Sequence, residues 1–357
     1  MFSFIKKIRN KIMNPSSVNN KKASHRIHSS QKYSDKLSPP ADNTQTKSTE
    51  HAFKDNVDTS VSKKAPKRKK KYSVYGNCQA DPLGNILQTN SEFSDNWEFV
   101  QFPKPSFALR ADDWVEIEKL MSTLDLFITQ NVGESHGIFA SDNLAKHMKP
   151  EARVIRVPNA YFSGYMPEVV YFRAGEPHVT KFCDYHDENF LALFMADPVN
   201  AVEKAVAKVK DPVTYSSEHV LENARASLDE LARREEECDI TVSDYIAEHW
   251  KDDILFYSMN HPKRTVLSHM ASKIMVALGQ ESSDVKGNYE HLNNTRLPVY
   301  ESVKRVLNKD IEWQVSVGQQ EIALESYYQG HAKVLRSLEP EFLRKAYKKF
   351  LATREAS

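Results

Sequence analysis

Cysteine is scarce in this chain. Its three cysteines, Cys78, Cys183 and Cys238, are widely spaced and none belongs to a CxxC pair. That excludes a disulfide scaffold or a structural zinc cluster and fits a reducing compartment. No run of about 18 apolar residues occurs, so no segment reads as a membrane span. The N-terminal "MFSFIKKIRNKIM" has no continuous apolar stretch followed by a small-residue cleavage site, which argues against a secretory signal. GxGxxG after a strand, GxxxxGK[ST], HExxH and GxSxG are all missing. Kinase and P-loop sulfotransferase readings therefore lack their phosphate loop, and no resident metal is expected.

The net charge of +1 hides a partition. Residues 1–71 hold 18 Lys and Arg against 5 Asp and Glu, and the remainder holds 31 against 43. The tail is thus +13 and the body −12, which argues against the body binding nucleic acid. In the first 13 residues, Phe4, Ile5, Ile8 and Ile12 share one side of a helical wheel, with Lys6, Lys7 and Lys11 mostly opposite. This reads either as a short basic amphipathic segment for an anionic membrane interface or as a solvated tail. Residues 14–70 are rich in Ser, Asn, Lys and Pro, the composition of a disordered basic linker, and the basic run "KKAPKRKKK" at 63–71 closes it.

From residue 71 to 357 the pattern alternates. Strands are expected at 72–75, 98–102, 125–130, 153–157 and 254–259, and helices at 111–123, 141–148, 187–209, 217–237, 263–278 and 340–351. Short apolar strands separated by helices predict an α/β fold, a mostly parallel sheet flanked by helices. The stretch 187–250 reads as an inserted helical lobe.

Three stretches carry candidate chemistry. "KYSVYGNCQA" (71–80) puts Cys78 at the turn after the first strand, where open parallel sheets bind ligands. N–H groups at a helix start would lower the thiol pKa, and those around Asn77 and Gln79 would support an oxyanion. A small cysteine packing a turn is the plainer alternative. "TQNVGESHG" (129–137) offers Gln130 and Asn131, with amides that hold fixed directions, and His136 in the same loop. "YSMNHPKR" (257–264) places His261 before Pro262, read as the first helical residue, as a general base. Lys263 and Arg264 follow as phosphate ligands. Tyr161 and Ser163 in "PNAYFSGYMP" suggest a ligand groove or a packed loop. Arg233 and Arg234 lie beside three glutamates, so helical ion pairs are the default there.

In this order, "GNCQA", "TQN", "PNAYFSGYMPE", "LARREEECDITVSDYI" and "SMNHPKR" resemble the WcbI-type polysaccharide biosynthesis domain over about residues 72–350. The resemblance implies a coenzyme A-dependent O-acetyltransferase acting on a surface or capsular polysaccharide. It also implies acetyl-CoA as co-substrate and a polysaccharide, sugar-nucleotide or lipid-linked glycan as acceptor. Such an enzyme would be cytoplasmic, peripheral at the inner membrane face. The blocks are also similar, distantly, to an SGNH-hydrolase layout, with Cys78 as nucleophile, Asn131 as oxyanion amide and His261 as base. Ser258 stands where that layout has its orienting acid, which leaves Asp244 as a substitute. Cys78 either takes the acetyl group itself, or His261 activates a sugar hydroxyl for direct attack while Cys78 and Gln79 shape the oxyanion site. Arg234, Lys263 and Arg264, with Tyr161 and Ser163, would hold the cofactor. An acyl esterase and a non-catalytic glycan- or partner-binding module are the alternatives.

Overall fold

The computed structural model describes residues 68–173, 182–281, 287–307 and 311–355. The amphipathic segment at 1–13 and nearly all of the linker lie outside the described residues. Four strands, β1 (Lys70–Tyr75), β2 (Trp97–Phe99), β3 (Leu126–Gln130) and β4 (Arg153–Val157), form a wholly parallel sheet in the order β2-β1-β3-β4. β1 pairs Tyr72 with Leu126 and Tyr75 with Thr129 on β3, and β3 pairs Gln130 with Val157 on β4.

Both faces of this sheet are covered, as its apolar strands require. Because side chains alternate along a strand, Tyr72 and Val74 enter one core, joined by Leu126 and Ile128 of β3. Tyr75 enters the other, where it meets Phe127, Phe102 and Ile117. Each tyrosine satisfies its hydroxyl on backbone across its own layer: Tyr72 donates to the Gly84 carbonyl at 2.8 Å and Tyr75 to that of Phe139 at 2.7 Å. Helices Ala80–Gln88 and Arg264–Ala277 pack together over the first face, and helix Trp114–Met121 lies over the second.

The helical stretch expected across 187–250 consists of Glu188–Ala196, Ala201–Lys210, Ser217–Glu235 and Ser243–His249. Asp187 caps the first of these, accepting from the Phe190 N–H at 3.1 Å, and Ser216 caps the third through the His219 N–H. The segment 254–259 departs from expectation. Only Phe256–Ser258 is strand, and it folds back antiparallel onto His261–Pro262 instead of joining the parallel sheet. The two residues between them, Met259 and Asn260, are too few for the crossover that a parallel partner needs.

Among the described residues no helix is long and apolar enough to cross a membrane, and no group of three or more His, Cys, Asp or Glu is placed to hold a metal.

Candidate active site at the sheet switch point

In the order β2-β1-β3-β4, chain connections leave in opposite directions on either side of the β1/β3 boundary, and open α/β sheets bind ligands beyond that boundary. The residues that follow β1 and end β3 meet there. Gly76, with φ +156°, has room only because it lacks a side chain: a Cβ would sit 2.3 Å from Gln130 Oε1. That approach lets the Asn77 N–H donate to Gln130 Oε1 at 2.8 Å and ties the two strand ends together.

Gln79 extends the tie. Its side chain is 1% exposed, so each of its polar atoms must find a protein partner. Nε2 lies 2.8 Å from Asn159 Oδ1, from the Ala160 carbonyl and from the Asn260 carbonyl. Oε1 accepts from the Ala160 N–H at 3.0 Å and from Gln130 Nε2 at 3.4 Å. Asn77 closes the ring, with Nδ2 donating to Asn159 Oδ1 at 2.8 Å and Oδ1 accepting from the Gln79 N–H at 3.0 Å. One amide thus joins the turn carrying Cys78, the segment after β4 and the turn carrying His261.

Cys78 sits half-buried in this frame, close enough to Tyr171 and Tyr185 to couple electrostatically with both. Burial pushes its thiol up to about 11, only partly offset by its own backbone N–H. The expected lowering does not occur. The helix that follows starts at Ala80 and spans nine residues, and its terminal N–H groups do not outweigh the desolvation.

His261 also neighbours Tyr185, the two rings 5.8 Å apart and nearly perpendicular. Burial holds its imidazole down to about 4, opposed by a hydrogen bond to the Leu292 backbone, so it is neutral at pH 7. Nδ1 is buried without a hydrogen-bond partner. Pro262 is not the first helical residue: Lys263 is the N-cap and the helix begins at Arg264. Asn260 Oδ1, which accepts from Tyr185 Oη at 2.6 Å and Ser258 Oγ at 3.3 Å, fixes the turn in place of an orienting carboxylate.

The other expected residues fall elsewhere. Gln130 and Asn131 are neighbours on an extended chain, so they face opposite ways. Gln130 turns inward, whereas Asn131 is exposed and donates to Glu237 Oε2 at 2.5 Å. His136 lies in the 3-10 segment Glu134–Phe139 beside Ser135 Oγ at 3.4 Å. Asp244 pairs with Lys273 at 3.6 Å and is 62% exposed, so it does not orient His261.

The cofactor-binding candidates split into two groups. Tyr161 bonds Ser163 and lies beneath the Arg234 guanidinium, 5.7 Å from its ring centre, while Arg234 also bonds Glu230 at 2.9 Å. Lys263 is held by Asp253 at 3.1 Å, and Arg264 is 6% exposed with its backbone N–H on Glu290. Tyr171, Tyr185, Asn159, Asn260 and Arg173 were not singled out by sequence. Arg173 is exposed and stacks over Tyr171 at 5.8 Å.

A family model described as "Polysaccharide biosynthesis enzyme WcbI" matches residues 71–283. The chain belongs to this family. It is therefore a polysaccharide biosynthesis enzyme by family. A solved structure of WcbI is similar with a TM-score of 0.69, over 81% of this chain and 99% of that one, at 24% identity. It is described as native protein without a disulfide bond between CoA and one of its cysteines, and at this identity the likeness speaks for the fold. No curated protein matches the chain.

Proposed function

We propose that this enzyme is a CoA-dependent O-acyltransferase that modifies a sugar hydroxyl of a surface polysaccharide. The observation that carries the reading is the locking of the Cys78 and His261 turns through Gln79 at the sheet switch point, with a neutral imidazole whose buried Nδ1 has no partner. The description of the similar WcbI structure, which pairs CoA with a cysteine, supports it.

The residues present fit such a cofactor. Arg234 lies over Tyr161 and Arg173 over Tyr171, and Tyr171 couples with both Tyr161 and Cys78, so two guanidinium groups suited to phosphates share the neighbourhood of the thiol. Lys263 is engaged by Asp253 and is a weaker candidate. When bound, acyl-CoA supplies an activated acyl thioester.

The protein's own contribution follows from its protonation states. At pH 7 Cys78 is a thiol and His261 an uncharged base. That pair favours direct transfer, in which the unpartnered Nδ1 of His261 takes the proton of the sugar hydroxyl once the bound acceptor displaces what covers it. The N–H groups of Asn77, Gln79 and Ala80 are already hydrogen-bonded, so the oxyanion donor in this turn is the Cys78 N–H, which faces its own Sγ.

The test is acyl-group release from acetyl-CoA, followed from pH 3.5 to 8. The expected profile is flat above about pH 5 and falls towards about 4, where His261 protonates, with no acetyl adduct on the protein by intact mass. His261→Ala is expected to lose about 10²–10⁴-fold, the usual contribution of a general base. An acetyl adduct that Cys78→Ala abolishes would instead support transfer through the cysteine. Absence of any CoA-dependent turnover or thermal stabilisation would remove the acyltransferase reading.

A further inference from the structure

Beyond residue 283, where the family match ends, the chain builds a recess. Short strands Thr295–Arg296, Ser316–Val317 and Gln320–Glu321 form an antiparallel sheet, and Tyr289, Asn293, Arg296, Ser316, Gln319 and Glu321 line a cavity of about 210 Å³ against it. That is below the roughly 300–1,000 Å³ of pockets for drug-sized ligands, and suits one ring better than a whole nucleotide cofactor.

Three observations mark the cavity as a binding site. Gln319 holds φ +69°, the left-handed conformation that disfavours any residue with a side chain, in a two-residue hairpin turn with Gly318 at φ +62°. Gly or Asn would serve that turn more cheaply, yet the chain places there an amide that lines the cavity. Arg296 Nε is buried without a hydrogen-bond partner, a donor left over by the fold itself. Tyr289 is 65% exposed beside these polar groups and offers a flat apolar face.

The chemistry of the lining selects the ligand. Its one guanidinium is already faced by Glu321 at 3.3 Å, so the recess is close to neutral and its carboxylate opposes anions. Amides, a hydroxyl, a carboxylate and an aromatic face together match the hydroxyls and the apolar face of a neutral sugar ring. Position adds to this: the Leu292 backbone bonds His261, and the next residue, Asn293, lines the cavity.

We propose that this cavity is the acceptor subsite, holding an uncharged sugar ring of the glycan beside the His261 turn. The proposal rests on the acyltransferase reading for its role, but the binding stands on the cavity alone.

Saturation-transfer NMR on the full chain, with glucose, galactose, mannose, N-acetylglucosamine, glucuronate and glucose 6-phosphate as probes, tests it. At least one neutral sugar is expected to bind, and Gln319→Gly and Tyr289→Ala to weaken it about tenfold, the scale of one lost polar or stacking contact. Gln319→Gly is expected to melt at the same temperature or higher, because Gly accepts the turn without strain. Thermal stabilisation by CoA should be unchanged in both variants. Pocket-dependent sugar binding without any CoA effect in the wild type would sustain the subsite and sink the acyltransferase reading. Binding of glucose 6-phosphate or glucuronate alone, of no probe, or of sugar as tightly in both variants as in the wild type would overturn the proposal.

Discussion

Gln79→Leu is expected to cost on the order of 3–5 kcal/mol of stability, more than an ordinary point substitution removes. The leucine fills the space, but the Ala160 N–H and C=O and the Asn260 carbonyl lose their partner at once, and Asn159 Oδ1 keeps only the bond from Asn77 Nδ2. The two Ala160 groups are buried and the Asn260 carbonyl is half-buried, and unpaired buried groups cost about 1–3 kcal/mol apiece. Gln79→Glu repairs only the Ala160 N–H, since a carboxylate accepts but cannot donate to the three oxygens. Asn131→Ala is the control: its exposed bond to Glu237 should be worth within about 0.5 kcal/mol. Urea midpoints at constant m-value read both effects. Comparable losses in Gln79→Leu and Asn131→Ala would mean that the Gln79 hub is not what joins the two turns.

The second large effect is expected in acid. His186 is 2% exposed, accepts from the Phe172 N–H at 3.4 Å through Nδ1, and lies 5.2 Å from His331 between ring centres. Burial lowers it to about 4, and His331, fully buried beside it, is lowered as well. A histidine whose folded pKa is depressed stabilises the fold above its unfolded value near 6.5, and that contribution is lost as pH falls through 4. Across this window His186 alone accounts for about 3 kcal/mol.

Glu168 and Asp187 act with opposite sign. Burial raises both, so their share grows as pH falls towards the ordinary carboxylate range, despite the bonds from Tyr300 and Tyr328 that favour the Asp187 carboxylate. The clean measurement is therefore a difference. Between pH 7 and pH 4 the wild type should lose about 3 kcal/mol more than His186→Asn, whose amide oxygen replaces Nδ1 as an acceptor without titrating. Parallel losses in the two proteins would show that His186 is not the acid-labile group.

Much of this arrangement was legible along the chain, for reasons that individual residues make plain. The run to Gly76 read as a buried strand because Tyr72, Val74 and Tyr75 are β-forming, and Gly76 marked a point where a side chain does not fit. Gln79 and Gln130 drew notice as amides at strand ends, although their mutual role as a bolt depended on Asn159 and Asn260, 80 and 181 residues from Gln79. Asn131 misled because composition treats it as the twin of Gln130, while strand alternation sends the two side chains apart. Residues 254–259 misled through apolarity: a buried run looks alike whether it joins the central sheet or folds back on His261. Tyr171 and Tyr185 have no periodic pattern around them, and only the fold brings them to Cys78. The thiol's pKa needed three dimensions as well, since desolvation depends on what covers the sulfur.

The central claim of the acyltransferase reading is that CoA binds at Cys78. Disulfide exchange tests it most directly: the protein is held with oxidised CoA at pH 9, then mapped by peptide mass. The raised thiol pKa makes exchange slow, but the claim predicts one CoA per chain, linked to Cys78 and not to Cys238, with the rate reduced by a CoA analogue that lacks the thiol. Modification of Cys238 with Cys78 left untouched would contradict it.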